Sequence, residues 1–439
     1  MKLQRGLNKW HGYALMIGGM VGSGIFVVTG EAGAQAGPSV PLGYIVLLPI
    51  LLASALGYLV YLSTPLGNSP GGAYIHISRT FKNYFVGFIF MWFQYIALLG
   101  VMTVMSISFG EFVASLLDFD HPLLIGTALL LFFFFLNVTG VKWFGKIQLL
   151  MTAILFVAIL FLVIPGLFFI EFNHYKPMFP FGLEGFLSIL PSLFFAYFGF
   201  EQLAQAGGEM KNAQKELPKT MIRGSILTMV IYFLVSFVAF GVLPYQQLAA
   251  TQTAMSDVAS TYLPSYGTWI VNIGILMAFA TTLNSLMMVV SRILFTFADD
   301  RIIPPVLAKV SERTGTPNLA LVINVVIVLI LLWTNTMNFV MMIALQGMFL
   351  MYIGHSIALI ALPYKNPELF AQAQFKPSKG LILICGLFAI STLLFFSYKM
   401  LLSVGDVLIV WTVVGAVVYA LGKRSGKKAN FDYEKKLSL

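Results

Sequence analysis

Two stretches decide how this chain is read: Met16-Ile-Gly-Gly-Met-Val-Gly-Ser-Gly-Ile-Phe-Val-Val-Thr-Gly30 and Pro191-Ser-Leu-Phe-Phe-Ala-Tyr-Phe-Gly-Phe-Glu-Gln-Leu-Ala-Gln-Ala-Gly-Gly208. Each lies within an apolar run long enough to cross a bilayer, for which a helix needs about 20 mostly apolar residues. Each is also interrupted. The first carries Gly18, Gly19, Gly22, Gly24 and Gly30 in one span. Glycines at such spacing support close helix packing, and they also permit a local break at Gly22-Ser23-Gly24. Unwound backbone is tolerated at membrane depth only where it lines a cavity or is buried in protein. A break there would aim free N–H groups and the positive end of a half-helix at a bound anion. The second stretch places Gly199 and then Glu201 near its centre. A carboxylate at that depth costs about 2.5–3.5 kcal/mol even on a lenient insertion scale. Glu201 therefore reads as a structural bond to a neighbouring helix or as a gating, proton-linked group.

The rest of the chain agrees with a membrane setting. Of 439 residues, 59% are hydrophobic and 10% charged, against about 25% charged in soluble proteins. With a mean hydropathy of +0.89, there are too few polar groups to cover a water-facing surface, which excludes a cytosolic enzyme. Twelve apolar runs can be marked, at roughly 11–30, 41–65, 84–113, 122–139, 147–170, 186–206, 221–243, 267–297, 318–335, 337–362, 380–397 and 402–421. Placing the N-terminus inside puts 24 of the 26 basic residues on the cytoplasmic side, leaving Lys176 and Lys399 outside. That asymmetry predicts an even number of spans with both ends cytoplasmic. The net charge of +9 is then a feature of inner loops rather than a nucleic-acid footprint. The basic tail, 422–439, reads as a positive-inside anchor facing membrane lipids.

Interrupted helices in matching places of two inverted repeats point to the central site of a secondary transporter. Spans one and six hold such places if two five-helix repeats occupy roughly 11–170 and 186–362, with additional helices at roughly 380–421. No nucleotide-binding motif, catalytic triad or metal cluster is present in the sequence, so no cofactor is expected.

At these residues the sequence resembles the amino acid–polyamine–organocation (APC) permeases over essentially its whole length. Gly22-Ser-Gly-Ile-Phe26 is similar to the family's unwound first-span motif. Ser69-Pro-Gly-Gly-Ala-Tyr74 is similar to the loop after span two. Phe194-Phe-Ala-Tyr-Phe-Gly-Phe-Glu201 resembles the sixth span, and Phe297-Ala-Asp-Asp-Arg301 the loop after span eight. The resemblance implies an all-α fold of about 12 transmembrane helices, two inverted five-helix repeats plus two, with helices 1 and 6 interrupted. It implies an amino acid carboxylate on the backbone of Val21, Gly22, Ser23, Gly24 and Ile25. The amino group would meet carbonyls between Ala196 and Gly199, with Tyr197 and Phe198 shaping the wall. Phe195 matches an aromatic that closes over substrate, and Glu201 is assigned to gating and proton coupling. Homodimers occur among relatives, although nothing read in this chain demands one.

Three departures qualify the likeness. A lysine used for coupling in several relatives would fall near Leu155, and none lies between Lys146 and Lys176. The family's usual glycine after the phenylalanine that follows the loop after span two, Phe81 here, is Lys82. The middle of span three and the region of Leu286 lack the polar groups used by guanidinium-binding relatives, which predicts a neutral side chain in the substrate. Ala278, Thr281 and Thr282 have the spacing of a sodium site in related folds, although such hydroxyls commonly bond their own helix. His355 reads as a hydrogen-bonded packing residue, and Arg292 as a group that snorkels or pairs. The expected function is an amino acid permease of the cytoplasmic membrane. An amine or polyamine permease and a non-transporting membrane sensor are the rival readings.

Overall fold

A computed structural model describes residues 5–22, 24–251, 253–334 and 337–428. Ser23, proposed above as a ligand, lies outside the described residues, as does the end of the tail from 429 onward. The described residues form an all-helical bundle, as lipid demands of any chain without a closed barrel, because a helix satisfies its own backbone. The first span is split into Lys9–Met20, a short wide turn Gly24–Val28, and Thr29–Ala36. It thus runs further than the apolar run suggested. Val40–Leu62 follows as span two, then an amphipathic helix Gly72–Phe81, span three Tyr84–Leu117, span four Pro122–Val138 and span five Val141–Gly166. Span six is split into Gly182–Phe195 and Gln202–Gln205. Ala213–Val242, Ser265–Asp299, Asn318–Trp333 and Met337–Lys365 are spans seven to ten.

The last helical stretch, Lys379–Lys428, has 50 residues, which as a straight rod would measure about 75 Å. Its contacts require it to double back. Phe396 packs on Phe194 and Phe349, while Trp411 stacks on Trp92 with ring centres 4.4 Å apart, and Tyr419 reaches Phe85. It therefore makes two spans, Lys379–Tyr398 and Met400–Gly426.

Burial sorts the helices into centre and perimeter. In the most apolar window of Ser265–Asp299, 83% is buried, against 17% for Met400–Gly426. The perimeter exposes Phe132, Phe135, Leu150, Ile164, Ile330 and Leu402, side chains that only a hydrocarbon solvent suits. The N-terminal segment and the loops after spans two, four, six, eight and ten meet at one end of the bundle. Leu7 pairs with the backbone at Glu209 and Lys211, Gln374 donates to the Ser63 carbonyl, and Asn366 donates to that of Arg79. This end carries most of the basic residues and is called the basic end below. Lys82 sits there with φ +50°, closing the helix Gly72–Phe81. A left-handed residue after a helix is ordinarily glycine, which accounts for the glycine expected at this place and for the strain that a lysine accepts.

Candidate functional site

The two split spans cross at their breaks. Lys9–Met20 ends with Val21, and the last carbonyls of any helix lack intrahelical donors. Here side chains from two other spans supply two of them, and a third span reaches the turn beyond. Thr282 of span eight donates to the Gly18 carbonyl at 3.0 Å, and the Tyr232 hydroxyl of span seven lies 2.6 Å from the Met20 carbonyl. Tyr44 of span two, itself bonded to Thr29 at 2.6 Å, reaches the Gly24 carbonyl at 3.3 Å. The Tyr232 hydroxyl is also 2.6 Å from the Ala196 carbonyl in the second break. With a single proton it serves one carbonyl at a time, so it straps the two breaks together by an exchangeable bond.

The glycines explain how the breaks approach so closely. A methyl built at Gly24 would overlap Cα of Ala196, and one at Gly22 would come within 2.6 Å of the Thr282 hydroxyl. Gly199 has φ +120°, and a methyl there would lie 2.8 Å from the Gly19 carbonyl. Only glycine meets both conditions. Close packing and backbone freedom are thus both present at these positions.

Between Phe195 and Gln202 the chain makes successive turns. Ala196, Tyr197 and Phe198 donate to carbonyls three residues back. The Gly199 N–H instead donates to Oε2 of Glu201 at 3.0 Å, and the same oxygen accepts the Tyr352 hydroxyl at 2.8 Å. Oε1 of Glu201 is buried without a hydrogen-bond partner among the described residues. Glu201 therefore caps the break and links it to span ten, and one carboxylate oxygen stays uncommitted.

Aromatic residues form two groups around this crossing, joined through Phe194. Tyr197 packs on Tyr44 and Tyr232, and its hydroxyl donates to the Tyr44 carbonyl at 2.8 Å. Phe195 and Phe198 form a second group, with ring centres 5.5 Å apart, and Phe198 continues to Phe349 and Tyr352 of span ten. The structure thus brings Val21, Gly22, Gly24, Ile25 and Ala196–Gly199 into one buried region, with Tyr197 in the strapping group.

Ala278, Thr281 and Thr282 also adjoin the first break. The Thr281 hydroxyl donates to the Ala278 carbonyl of its own helix at 3.0 Å, and Thr282 donates across to Gly18. Beside them runs a buried amide chain missed in the sequence. Asn137 donates to Asn284, and Asn284 donates to Gln148 at 2.7 Å. Gln148 donates to the Ala14 and Thr281 carbonyls, both at 3.2 Å. Polar residues inside apolar spans were the available signal. Where a lysine was absent near Leu155, span five therefore reaches the first span through Gln148 and Thr152.

Two other residues marked in the sequence have partners. Arg292 is buried and pairs with Glu209 at 2.6 Å rather than snorkelling. His355 lies 3.0 Å from His76, between the rings of Tyr58 and Tyr61. Arg79 and Tyr74 both reach Asp300 at the basic end.

A polytopic helical protein whose two broken spans cross in the bundle centre has the architecture of a secondary transporter. The amino acid permease family matches residues 7–419, and the chain belongs to that family. Known relatives cover it almost end to end. The branched-chain amino acid permease of Bacillus subtilis is 25% identical over 98% of this chain and 95% of its own. The methylthioribose transporter of the same organism shows the same identity and coverage. Its serine/threonine exchanger is 28% identical over 79% of this chain and 80% of its own.

Proposed function

We propose that this amino acid transporter moves a neutral amino acid across the cytoplasmic membrane by alternating access, with both termini cytoplasmic. The observation that carries the reading is the crossing itself. The backbone at Gly24 packs on that at Ala196 and the backbone at Gly199 on that at Gly19, and Tyr232 straps the two breaks. N–H groups freed by the first break suit a carboxylate, and carbonyls of the second suit an ammonium group. A zwitterion has both at the required short separation. Spans 11–170 and 186–362 form the two inverted repeats in this reading, each contributing one break.

A neutral side chain fits the apolar middle of span three and the buried Leu286. It also fits the uncharged side chains of the amino acids named for two relatives. The methylthioribose relative makes substrate class a question for direct assay. Phe195 closes over the bound substrate, and Glu201 carries the coupling proton through its uncommitted oxygen. The Thr281 and Thr282 hydroxyls donate to carbonyls and keep oxygen lone pairs for a cation, but that set holds no ionisable group, whereas Glu201 supplies one at the second break. Proton coupling is the simpler assignment.

Uptake by the purified protein in liposomes tests the whole reading. Free neutral amino acids should compete with one another, and their decarboxylated amines and methyl esters should not. An imposed proton gradient, and not a sodium gradient, should drive accumulation. Competition by amines as strong as by amino acids would remove the carboxylate from the first break. Specific binding of an amino acid with neither uptake nor exchange would favour the sensor reading.

A further inference from the structure

A groove of about 720 Å³ runs along the perimeter where the half-helix Lys9–Met20 passes between spans five and seven. Its deeper part is apolar, formed by Ile17, Leu149, Ala153, Phe156 and Leu227. The spacing 149, 153, 156 puts the span-five contributors on one helix face. Its mouth is different, with Lys9, Lys219 and Arg223 set against a single carboxylate, Glu216. Glu216, Lys219, Arg223 and Leu227 repeat at helical spacing, so span seven passes from charged to apolar along one wall. Trp10 and Tyr13 line the same groove, and Trp10 is 59% exposed. Amphipathic rings of this kind mark headgroup depth.

Lys9 lies over the Trp10 ring, 5.3 Å from its centre, and keeps its charge there. Lys219 and Arg223 are exposed on the helix surface, and neither makes an ion pair among the described residues. Three cations against one carboxylate leave an excess of two positive charges at the rim of an apolar furrow. A neutral lipid would satisfy the furrow and leave that excess unanswered. A soluble anion would answer the charge and leave the furrow exposed. We propose that this groove holds one anionic phospholipid of the adjoining leaflet. Its phosphodiester sits between Lys219 and Arg223, and one acyl chain lies along Leu149, Phe156 and Leu227. The inference needs only that the chain is embedded in a membrane, so it stands or falls independently of the transported substrate.

The test uses the full chain in bilayer discs of phosphatidylcholine doped with phosphatidylglycerol. Native mass spectrometry should find one phosphatidylglycerol retained in preference to phosphatidylcholine. Each basic residue near a membrane surface favours an anionic lipid by about fivefold, so K219Q/R223Q should cut that preference roughly 25-fold. E216Q removes the one opposing charge and should raise it. A headgroup-proximal spin label on phosphatidylglycerol should quench Trp10 more than the same label on phosphatidylcholine, with Trp10→Phe protein giving the background. Unchanged preference in K219Q/R223Q and in E216Q, or equal quenching by the two lipids, would overturn the assignment and leave an unselective lipid furrow.

Discussion

Replacing Glu201 by glutamine isolates the ionisable part of its role from the structural part. Both known bonds of Glu201 converge on Oε2, from the Gly199 N–H at 3.0 Å and the Tyr352 hydroxyl at 2.8 Å. A glutamine with its carbonyl oxygen in that place keeps both. Its NH2 group then occupies the position of Oε1, where no partner stands among the described residues. A buried donor without an acceptor costs about 1–3 kcal/mol, so Glu201→Gln should melt at a lower temperature yet remain folded and bind substrate. Coupling of one proton makes transport vary by up to about tenfold per pH unit, or about 1.36 kcal/mol. In Glu201→Gln that dependence should disappear, since the amide cannot exchange a proton in this range. The assay is initial uptake into liposomes at fixed internal pH, with binding measured separately. Glu201→Asp serves as the control, because the shorter side chain loses the cap but keeps an acid. A folded Glu201→Gln protein that retains the full wild-type pH profile would show that Glu201 is only the cap of the second break.

Three further outcomes follow from the same geometry. Tyr232→Phe keeps the ring packing on Tyr44 and Tyr197 but removes the strap between the Met20 and Ala196 carbonyls. It should lose about 1–3 kcal/mol, seen as a lower melting midpoint together with weaker substrate binding; normal values for both would refute the strap. Phe195→Ala should slow exchange more than it weakens equilibrium binding, as expected of a gating side chain; a large loss of affinity at normal turnover would reassign it to pocket packing. Arg292→Ala leaves Glu209 buried and alone and should destabilise by about 3–5 kcal/mol. The double variant with Glu209→Ala should recover much of that in thermal melts, and a purely additive loss would show that the pair is not coupled.

Much of this architecture was legible in the chain, for definable reasons. Hydrophobic runs are local, so span number and order follow from them directly. The two breaks were legible because glycine and a carboxylate are both costly inside an apolar helix, and Gly199 does adopt a conformation closed to other residues. The ends of span one were not. Thr29–Ala36 contains Glu31 and Gln35, and a hydropathy reading stops where such residues begin, although the helix continues. Partners were the least legible. Arg292 meets Glu209 across 83 positions, and Tyr232 meets Met20 across 212. Nothing in a single sequence says which helix face turns toward which neighbour. Tyr232 was overlooked because a tyrosine in an apolar span usually packs, and only the two carbonyls beside its hydroxyl give it another role.

The distribution of polar bonds along the bundle follows a physical logic of its own. At the crossing of the breaks the bonds are hydroxyl to carbonyl and amide to amide, each worth about 1 kcal/mol net, apart from those that the Gly199 N–H and the Tyr352 hydroxyl give to Glu201. Bonds of that size can be exchanged one for another without exposing a charge to hydrocarbon, and the Tyr232 hydroxyl already has two acceptors within reach. The charged pairs, Arg292 with Glu209 and Arg79 with Asp300, join the ends of spans six and eight and the helix after span two at the basic end. A buried ion pair is costly to split when its members stay dry, yet it adds little over the same groups in water. Among the described residues Glu209 Oε2 and Arg292 Nε have no hydrogen-bond partner, so within them this pair is not a fully satisfied network. Such pairs hold helices in register while buried, and beside an aqueous face the two charges can part into water at small net cost. Placed at the bundle centre they would lock it. At the basic end they leave the crossing of the two breaks as the part of the molecule where small changes in bonding can be felt.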